Sequence, residues 1–271
     1  MNKKRKFNEI VQGIKDIKIQ GATNIAKKSL YAYSLFPTKT SKKKLLNTRP
    51  TEPMLVNVLH RVNDEDYNKI LKHFPEAQEK INKTILKLIK KDDVVFTHCH
   101  STNVVKALIN AKKKGKKFQV YNTETRPLFQ GRKTAKELKK AGIKITMFVD
   151  SAVGVALSHE QKTKKVDKIF LGADALLKDG IINKIGSEVI AQIAKNQKIP
   201  VYVIADSWKY SPSRIKLEKR HFDEVWEKMP KNFHIKIQNP AFEFVPKKYL
   251  AGIVTEFGLL SYYGFISKIS K

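Results

Sequence analysis

The first third of the chain carries apolar residues at the three- and four-residue spacing of amphipathic helices. The apolar positions of the first predicted helix are Phe7, Ile10, Val11, Ile14 and Ile17. The same spacing predicts further helices over residues 25–35, 54–62 and 67–89, with prolines interrupting the pattern between them. We therefore expect a helical N-terminal domain over residues 1–90.

From Asp92 onward, short apolar runs alternate with helical stretches. The predicted strands are 94–97, 118–121, 143–149, 168–171 and 200–205, and the predicted helices between them are 103–113, 134–140 and 187–196. Strands and helices that alternate at this spacing favour right-handed βαβ units on a mostly parallel sheet. The sequence thus predicts an α/β protein whose second domain, residues 91–271, is Rossmann-like.

Ligands of such sheets bind beyond the carboxyl ends of the strands, so the residues that follow each strand are candidates for chemistry. Cys99 follows the first strand, just before a helix whose positive end would lower the thiol pKa. It is either an acid/base or nucleophile, or an ordinary buried cysteine. His98 and His100 flank it, but three neighbouring side chains cannot converge on one ion, and we predict no metal site.

Polar groups also follow the other strands. Arg126 would either hold a phosphate or form a salt bridge with Glu124, and Asp174 would act as an acid/base or cap a turn. Residues 183–186 resemble a phosphate-binding loop in composition, but no P-loop or dinucleotide fingerprint occurs, so no nucleotide cofactor is predicted. Together these groups suit proton transfer on a phosphorylated sugar or polyol.

The chain has 54 Lys and Arg against 25 Asp and Glu, a formal net charge of +29. Only seven of the 54 are arginine, whereas nucleic-acid readers favour arginine and group their cations on one face. The diffuse pattern favours solvated surface that attracts anions; it leaves a nucleic-acid partner open without favouring one.

The chain has one cysteine and no apolar stretch of 18 residues. A single cysteine cannot form an internal disulfide, which is typical of a reducing compartment. No membrane span is predicted, and we expect a soluble, cytoplasmic protein.

Six motifs occur in the order typical of one protein superfamily. They are Thr97-His98-Cys99-His100-Ser101, Glu124-Thr125-Arg126-Pro127 with Gln130-Gly131, Gly172-Ala173-Asp174, Asn183-Lys184-Ile185-Gly186, Asn239-Pro240-Ala241-Phe242-Glu243 and Thr255-Glu256-Phe257-Gly258. The chain resembles the superfamily of regulatory initiation factor 2B subunits, methylthioribose-1-phosphate isomerase and archaeal-type ribose-1,5-bisphosphate isomerase. The form of the first motif is typical of the last branch.

This resemblance implies isomerisation of ribose 1,5-bisphosphate to ribulose 1,5-bisphosphate. Cys99 would exchange a proton with the ring oxygen or carbonyl, and Asp174 would take the proton of the C2 hydroxyl. The implied phosphate and sugar contacts are Gly21, Ala22, Arg49, Ser101, Gln130, Asn183 and Lys184. The resemblance implies a homo-oligomer, a dimer or a hexamer formed as a trimer of dimers, and neither metal nor cofactor.

One position departs from the superfamily pattern. The usual Arg-Gly-Ala stands here as Gln20-Gly21-Ala22, which replaces a phosphate-binding cation by a neutral amide. Either the affinity for phosphate falls, or a nearby lysine such as Lys18 or Lys27 takes the place of the missing cation. Two alternatives therefore remain: a non-catalytic relative that acts in translation initiation, and methylthioribose-1-phosphate isomerase.

Overall fold

The computed structural model describes residues 2–217, 220–228 and 235–270. The outermost residues of the two predicted domains, 1 and 271, lie outside these ranges. The helices that precede the first strand are α1 Lys3–Lys15, α2 Ala22–Leu35, α3 Lys39–Leu46, α4 Pro53–Arg61 and α5 Tyr67–Leu88. Four of them coincide with the predicted helices to within a few residues. The helix α3 was not predicted, because its sequence KTSKKKLL has too few apolar residues to show periodicity.

Local capping and one apolar stripe account for the long helix α5. The Asp66 carboxylate accepts hydrogen bonds from the backbone N–H groups of Asn68 and Lys69, which have no partner within the helix. The buried residues of α5 recur at three- and four-residue spacing: Ile70, Phe74, Ala77, Ile81 and Ile85. The C-terminal part of this stripe packs against the next helix of the chain and the central sheet, and its N-terminal part packs against α2 and α4.

The strands are β1 Asp93–Thr97, β2 Phe118–Thr123, β3 Lys144–Phe148, β4 Lys168–Leu171, β5 Ala175–Leu176, β6 Gly180–Lys184, β7 Val201–Ile204, β8 Phe242–Pro246, β9 Gly252–Thr255 and β10 Gly258–Leu260. The later helices are α6 Thr102–Lys113, α7 Gln130–Lys140, α8 Val153–Ser158, α9 Ser187–Asn196 and α10 Tyr262–Ile269. Seven strands form one sheet in the order β10-β9-β7-β4-β1-β2-β3, parallel except for β10. The predicted α/β class with a mostly parallel sheet is confirmed.

A second, three-stranded antiparallel sheet has the order β5-β6-β8. It was not predicted from the sequence. Its middle strand β6 pairs with β8, which lies far along the chain, so that Asn183 stands opposite Glu243 and Lys184 opposite Phe242. This sheet brings the residues that follow β4 back over the carboxyl edge of the large sheet.

The large sheet is covered on both faces, and every residue of β1 is buried. Buried strands of this kind appear in the sequence as short continuous apolar runs, which is how β1 and β4 were located. The helix α4 lies at the carboxyl edge of the sheet, where its Asn57 donates hydrogen bonds to the backbone oxygens of Trp208 and Tyr210. Within the described ranges, no helix is both long and apolar enough to span a bilayer.

Candidate functional site

A cleft of about 160 Å³ lies between the N-terminal helices and the carboxyl edge of the sheet. The start of α2, the segment between α3 and α4, and the segments after β1 and β4 contribute to it. All nine site residues that the family resemblance implies line this cleft: Gly21, Ala22, Arg49, Cys99, Ser101, Gln130, Asp174, Asn183 and Lys184. The structure therefore brings them together, while their individual roles remain predictions.

The segment after β1 is shaped by a helix cap and a left-handed residue. Cys99 has φ +65°, and Ser101 caps α6 by accepting a hydrogen bond from the Val104 N–H at 3.4 Å. Gly172 lies against Ser101 so closely that a Cβ atom there would stand 2.6 Å from the Ser101 Cβ. Only glycine permits this approach, which brings the segments after β1 and β4 into contact.

The thiol of Cys99 is held in its protonated form. Burial raises the pKa of Cys99 to about 12, the charge of Lys184 acts in the opposite direction, and the Asp174 and Asp150 carboxylates add to the rise. The sequence had predicted the reverse, a pKa lowered by the helix end, and this is wrong because loss of water outweighs the nearby positive groups. A protonated thiol beside a carboxylate can donate a proton while the carboxylate accepts one.

The two histidines beside Cys99 are neutral. His98 donates its Nε2 proton to the Ile185 carbonyl at 2.8 Å and accepts from the Thr123 hydroxyl at Nδ1 at 2.5 Å. Burial lowers the pKa of His98, and burial with the charge of Lys133 lowers the pKa of His100 to about 4. Because both ring nitrogens are hydrogen bonded, His98 links the end of β2 to the segment after β6 and is not free to bind a metal ion.

The segment after β4 presents Asp174, and the strand β6 presents Asn183 and Lys184. The Asp174 backbone N–H donates to the Ile182 carbonyl at 2.8 Å, which fixes the acid against the small sheet. Lys184 is buried with its Nζ 4.6 Å from the centre of the Phe242 ring, and Asn183 donates its side-chain amide to Ser187 at 2.8 Å. These contacts point the lysine ammonium and the amide carbonyl at fixed positions on the cleft wall.

The N-terminal wall of the cleft includes Gln20 and Gly21, and Gly21, the residue before α2, has φ +83°. The side-chain amide of Gln20 donates to the Ile17 carbonyl at 2.8 Å and so closes the preceding turn. Neither lysine proposed from the sequence to replace the missing cation lines the cleft: Lys18 lies near Asp16, and Lys27 lies over the Phe74 ring in an adjoining cavity.

Two polar side chains of the segment after β2 differ in their surroundings. Gln130 lines the cleft, and its buried side-chain oxygen has no hydrogen-bond partner among the described residues. Glu124 forms its salt bridge with Arg132 at 2.8 Å rather than with Arg126, which is exposed and does not line the cleft, so neither of the two roles considered for Arg126 is found. A buried carbonyl oxygen without a donor is suited to a ligand hydroxyl.

Sequence reasoning missed two cleft lysines. Lys209 is 7% exposed and donates from Nζ to the Ala173 carbonyl at 2.5 Å, directly beside Asp174. Lys133 lies on α7 and lines the cleft next to His100. Lys209 follows the fifth parallel strand β7, so the rule that nominates strand ends could have found it.

Among the described residues, one group of side chains is close enough to bind a metal ion. Its ligand atoms belong to His73, Asp206 and Glu256 and lie within 4.8 Å of one another. We call this group the acid cluster. Its carboxylates follow β7 and β9, its histidine lies on α5, and none of the three residues lines the cleft. The cleft itself offers no such cluster within the described ranges.

Comparisons with known proteins agree with this architecture. The model of the Initiation factor 2 subunit family matches residues 37–262. A ribose 1,5-bisphosphate isomerase of Archaeoglobus fulgidus is 32% identical over 93% of this chain and 88% of its own, and one of Methanocaldococcus jannaschii is 33% identical over 97% of both. The crystal structure of a Pyrococcus horikoshii translation initiation factor eIF-2B superposes with a TM-score of 0.79, at 26% identity, covering 94% of this chain and 96% of that one.

Proposed function

Because this chain belongs to the Initiation factor 2 subunit family, we propose that it is the member that converts ribose 1,5-bisphosphate into ribulose 1,5-bisphosphate. The observation that carries this proposal is a protonated thiol and a carboxylate, Cys99 and Asp174, on the walls of one cationic cleft. The two archaeal relatives with that activity in their names support the choice of substrate.

The charge of the cleft fits a doubly phosphorylated ligand. Its cationic lining residues are Arg49, Lys133, Lys184, Lys209 and Arg220, and its carboxylates are Glu52 and Asp174. Each phosphate monoester carries a charge of about −1.5 to −2 at pH 7, so two of them would neutralise this excess. The unpartnered Gln130 oxygen would accept a hydrogen bond from a sugar hydroxyl.

The proposed chemistry moves two protons and one hydrogen. The Cys99 thiol protonates the ring oxygen as the bond between that oxygen and C1 breaks. The C2 hydrogen then moves to C1 with its electron pair, Asp174 takes the proton of the C2 hydroxyl, and a carbonyl forms at C2. Return of that proton from Asp174 to Cys99 restores the enzyme. The positive end of α6 and the cleft lysines stabilise the phosphates throughout. A cytoplasmic location belongs to this proposal, because a reducing compartment keeps the single thiol free.

The direct test supplies purified protein with ribose 1,5-bisphosphate and follows the product by phosphorus NMR. We expect ribulose 1,5-bisphosphate from the wild type, no conversion of ribose 5-phosphate, and a loss of about 10³-fold in kcat for Cys99→Ser, because the proton donor is weakened. Folded wild-type protein that raises its Tm with the substrate but never turns it over would identify the non-catalytic alternative. Turnover of methylthioribose 1-phosphate in preference would identify the other isomerase.

We also propose that the chain forms a homo-oligomer. The strand β3 is an open edge of the large sheet, and Met147 on it and Val149 after it are 45% and 55% exposed. Exposed apolar groups on an unpaired edge strand are suited to cover by a second copy. Light scattering should show Met147→Lys shifted toward monomer, while Val189→Lys, an equally exposed position on α9, should leave the mass unchanged.

A further inference from the structure

Both backbone polar groups of Cys99 are hydrogen bonded to threonine side chains. The Cys99 N–H donates to the Thr125 hydroxyl at 3.1 Å, and the Cys99 carbonyl accepts from the Thr134 hydroxyl at 2.8 Å. Cys99 has φ +65°, a backbone conformation that residues other than glycine adopt only when their surroundings impose it. The two hydroxyls are the groups that hold it there.

The single hydroxyl proton of Thr134 determines the direction of the hydrogen bonds around it. Its hydroxyl has one proton, which the Cys99 carbonyl accepts. The His100 Nδ1 atom, 3.0 Å from the same hydroxyl, must therefore be the donor. His100 is neutral, so its proton lies on Nδ1 and the chain runs from the imidazole through Thr134 to Cys99.

Thr125 is anchored as firmly as Thr134. It is 1% exposed, and its backbone N–H donates to the Asp150 carboxylate at 2.9 Å. Thr134 is also 1% exposed and stands on α7. Neither threonine lines the cleft, so neither is placed to touch a bound ligand.

We propose that Thr125 and Thr134 are positioning residues that clamp the backbone of Cys99 and thereby set the direction in which its thiol enters the cleft. The effect on turnover rests on the function proposed above, whereas the effect on the thiol itself does not. The clamp joins the segment after β1 to the segment after β2 and α7, so the thiol is aligned by two neighbouring βα units.

The variants Thr134→Val and Thr134→Ser test the clamp as a matched pair, since valine keeps the shape without the hydroxyl and serine keeps the hydroxyl. We expect Thr134→Val to lower kcat about 100-fold with KM nearly unchanged, because a misplaced reacting group costs rate rather than binding. Thr134→Ser should restore most of kcat. Thr84→Val on α5, which removes a hydroxyl bonded to the Lys80 carbonyl, is the control for the chemical change alone.

Thiol alkylation gives a readout that does not need isomerase activity. Cys99 is the single cysteine, so iodoacetamide incorporation reports on it alone. A released backbone lets the half-buried thiol move toward solvent, and a pKa lower by one unit makes alkylation at pH 8 about tenfold faster. We expect this acceleration in Thr134→Val and Thr125→Val and not in Thr134→Ser.

Folded Thr134→Val and Thr125→Val proteins with wild-type kcat and wild-type alkylation would overturn the clamp. A Thr134→Ser protein as impaired as Thr134→Val would also overturn it, because packing of the methyl group would then be the cause. Should Thr134→Val fail to fold, Thr125→Val carries the test. If the variants are alkylated faster but the wild type turns over no sugar phosphate, the proposed clamp is supported and the proposed function is refuted.

Discussion

The cleft and the acid cluster lie at the same edge of the same sheet and contain similar residue types. Cys99 and Asp174 follow β1 and β4, and Asp206 and Glu256 follow β7 and β9, which are the next strands along the sheet. The rule that ligands bind beyond strand ends nominates both places equally. The two places differ in whether their polar groups already have hydrogen-bond partners within the protein.

In the acid cluster, neighbours occupy the carboxylates. Asp206 accepts from His73 at 3.0 Å and from the Trp208 N–H at 2.9 Å, and the His73 ring stacks on the Trp208 ring at 3.5 Å. Glu256 accepts from the backbone N–H and the hydroxyl of Ser207. In the cleft, by contrast, the buried side-chain oxygen of Gln130 has no hydrogen-bond partner among the described residues, and five cationic side chains line the same space. Polar side chains that already have hydrogen-bond partners within the protein indicate a structural role. A buried polar atom without such a partner indicates a place for a ligand.

The largest expected effect separates the two regions by activity. Asp174→Asn removes the proposed proton acceptor and should lower kcat about 10³-fold, whereas Glu256→Gln should keep kcat within about threefold of wild type. Both substitutions preserve shape, so circular dichroism should show the same fold in each. Equal losses of kcat in the two variants would erase the distinction between cleft and acid cluster.

The free energy of unfolding should depend more on the acid cluster than on the cleft. Asp206→Ala leaves the His73 Nε2 and the Trp208 N–H without their buried acceptor, and we expect the free energy of unfolding to fall by about 3 kcal/mol. Asp206→Asn retains an acceptor oxygen and should lose less. Urea unfolding at pH 7 measures both, and an Asp206→Ala protein as stable as wild type would show that the cluster does not hold the fold.

A smaller effect concerns the cation that the cleft lacks at Gln20. Gln20→Arg would replace a neutral amide by a guanidinium at the cleft wall, and charge-assisted contacts to phosphate are roughly twice as strong, so KM should fall about fivefold. Asn24→Arg adds the same charge at an exposed position of α2 outside the cleft and should leave KM unchanged. Identical KM values for both variants would show that the gain is only long-range attraction.

Sequence reasoning located the large sheet because its strands are buried runs followed by helices. It missed the sheet β5-β6-β8, since β5 has two residues and β6 pairs with β8, more than 50 positions further along the chain. Long-range antiparallel pairing leaves no local pattern. Residues 183–184 were nevertheless nominated, from their residue types rather than from their strand.

The two cleft lysines were not recognised from the sequence for a different reason. With 54 basic residues in the chain, neither Lys133 nor Lys209 stands out by composition. Lys209 is distinguished only by burial and by its hydrogen bond to the Ala173 carbonyl, which three-dimensional packing creates. Likewise, the pKa of Cys99 depends on burial that the neighbouring sequence does not reveal, and so its direction was predicted wrongly.

The smallest predicted effect uses pH to distinguish the acid cluster from an ordinary surface carboxylate. Burial, with a further contribution from Asp206, raises the pKa of Glu256, so the folded state holds this proton more tightly than the unfolded chain. Between the usual glutamate pKa and the raised value, stability therefore falls as pH increases, and the stabilisation is complete only below the usual value. Asp179 shows the opposite sign, because its hydrogen bond with Arg214 lowers its pKa.

Glu256→Gln removes this titration, and urea unfolding measured at pH 5 and pH 7.5 provides the check. The difference in stability between the two pH values should shift in the variant toward greater relative stability at pH 7.5, since the buried negative charge is gone. Asp179→Asn is the matched control: the lowered pKa of Asp179 places its titration below this pH range, so the difference in stability between pH 5 and pH 7.5 should stay unchanged. An unchanged pH dependence in Glu256→Gln would contradict the raised pKa of Glu256.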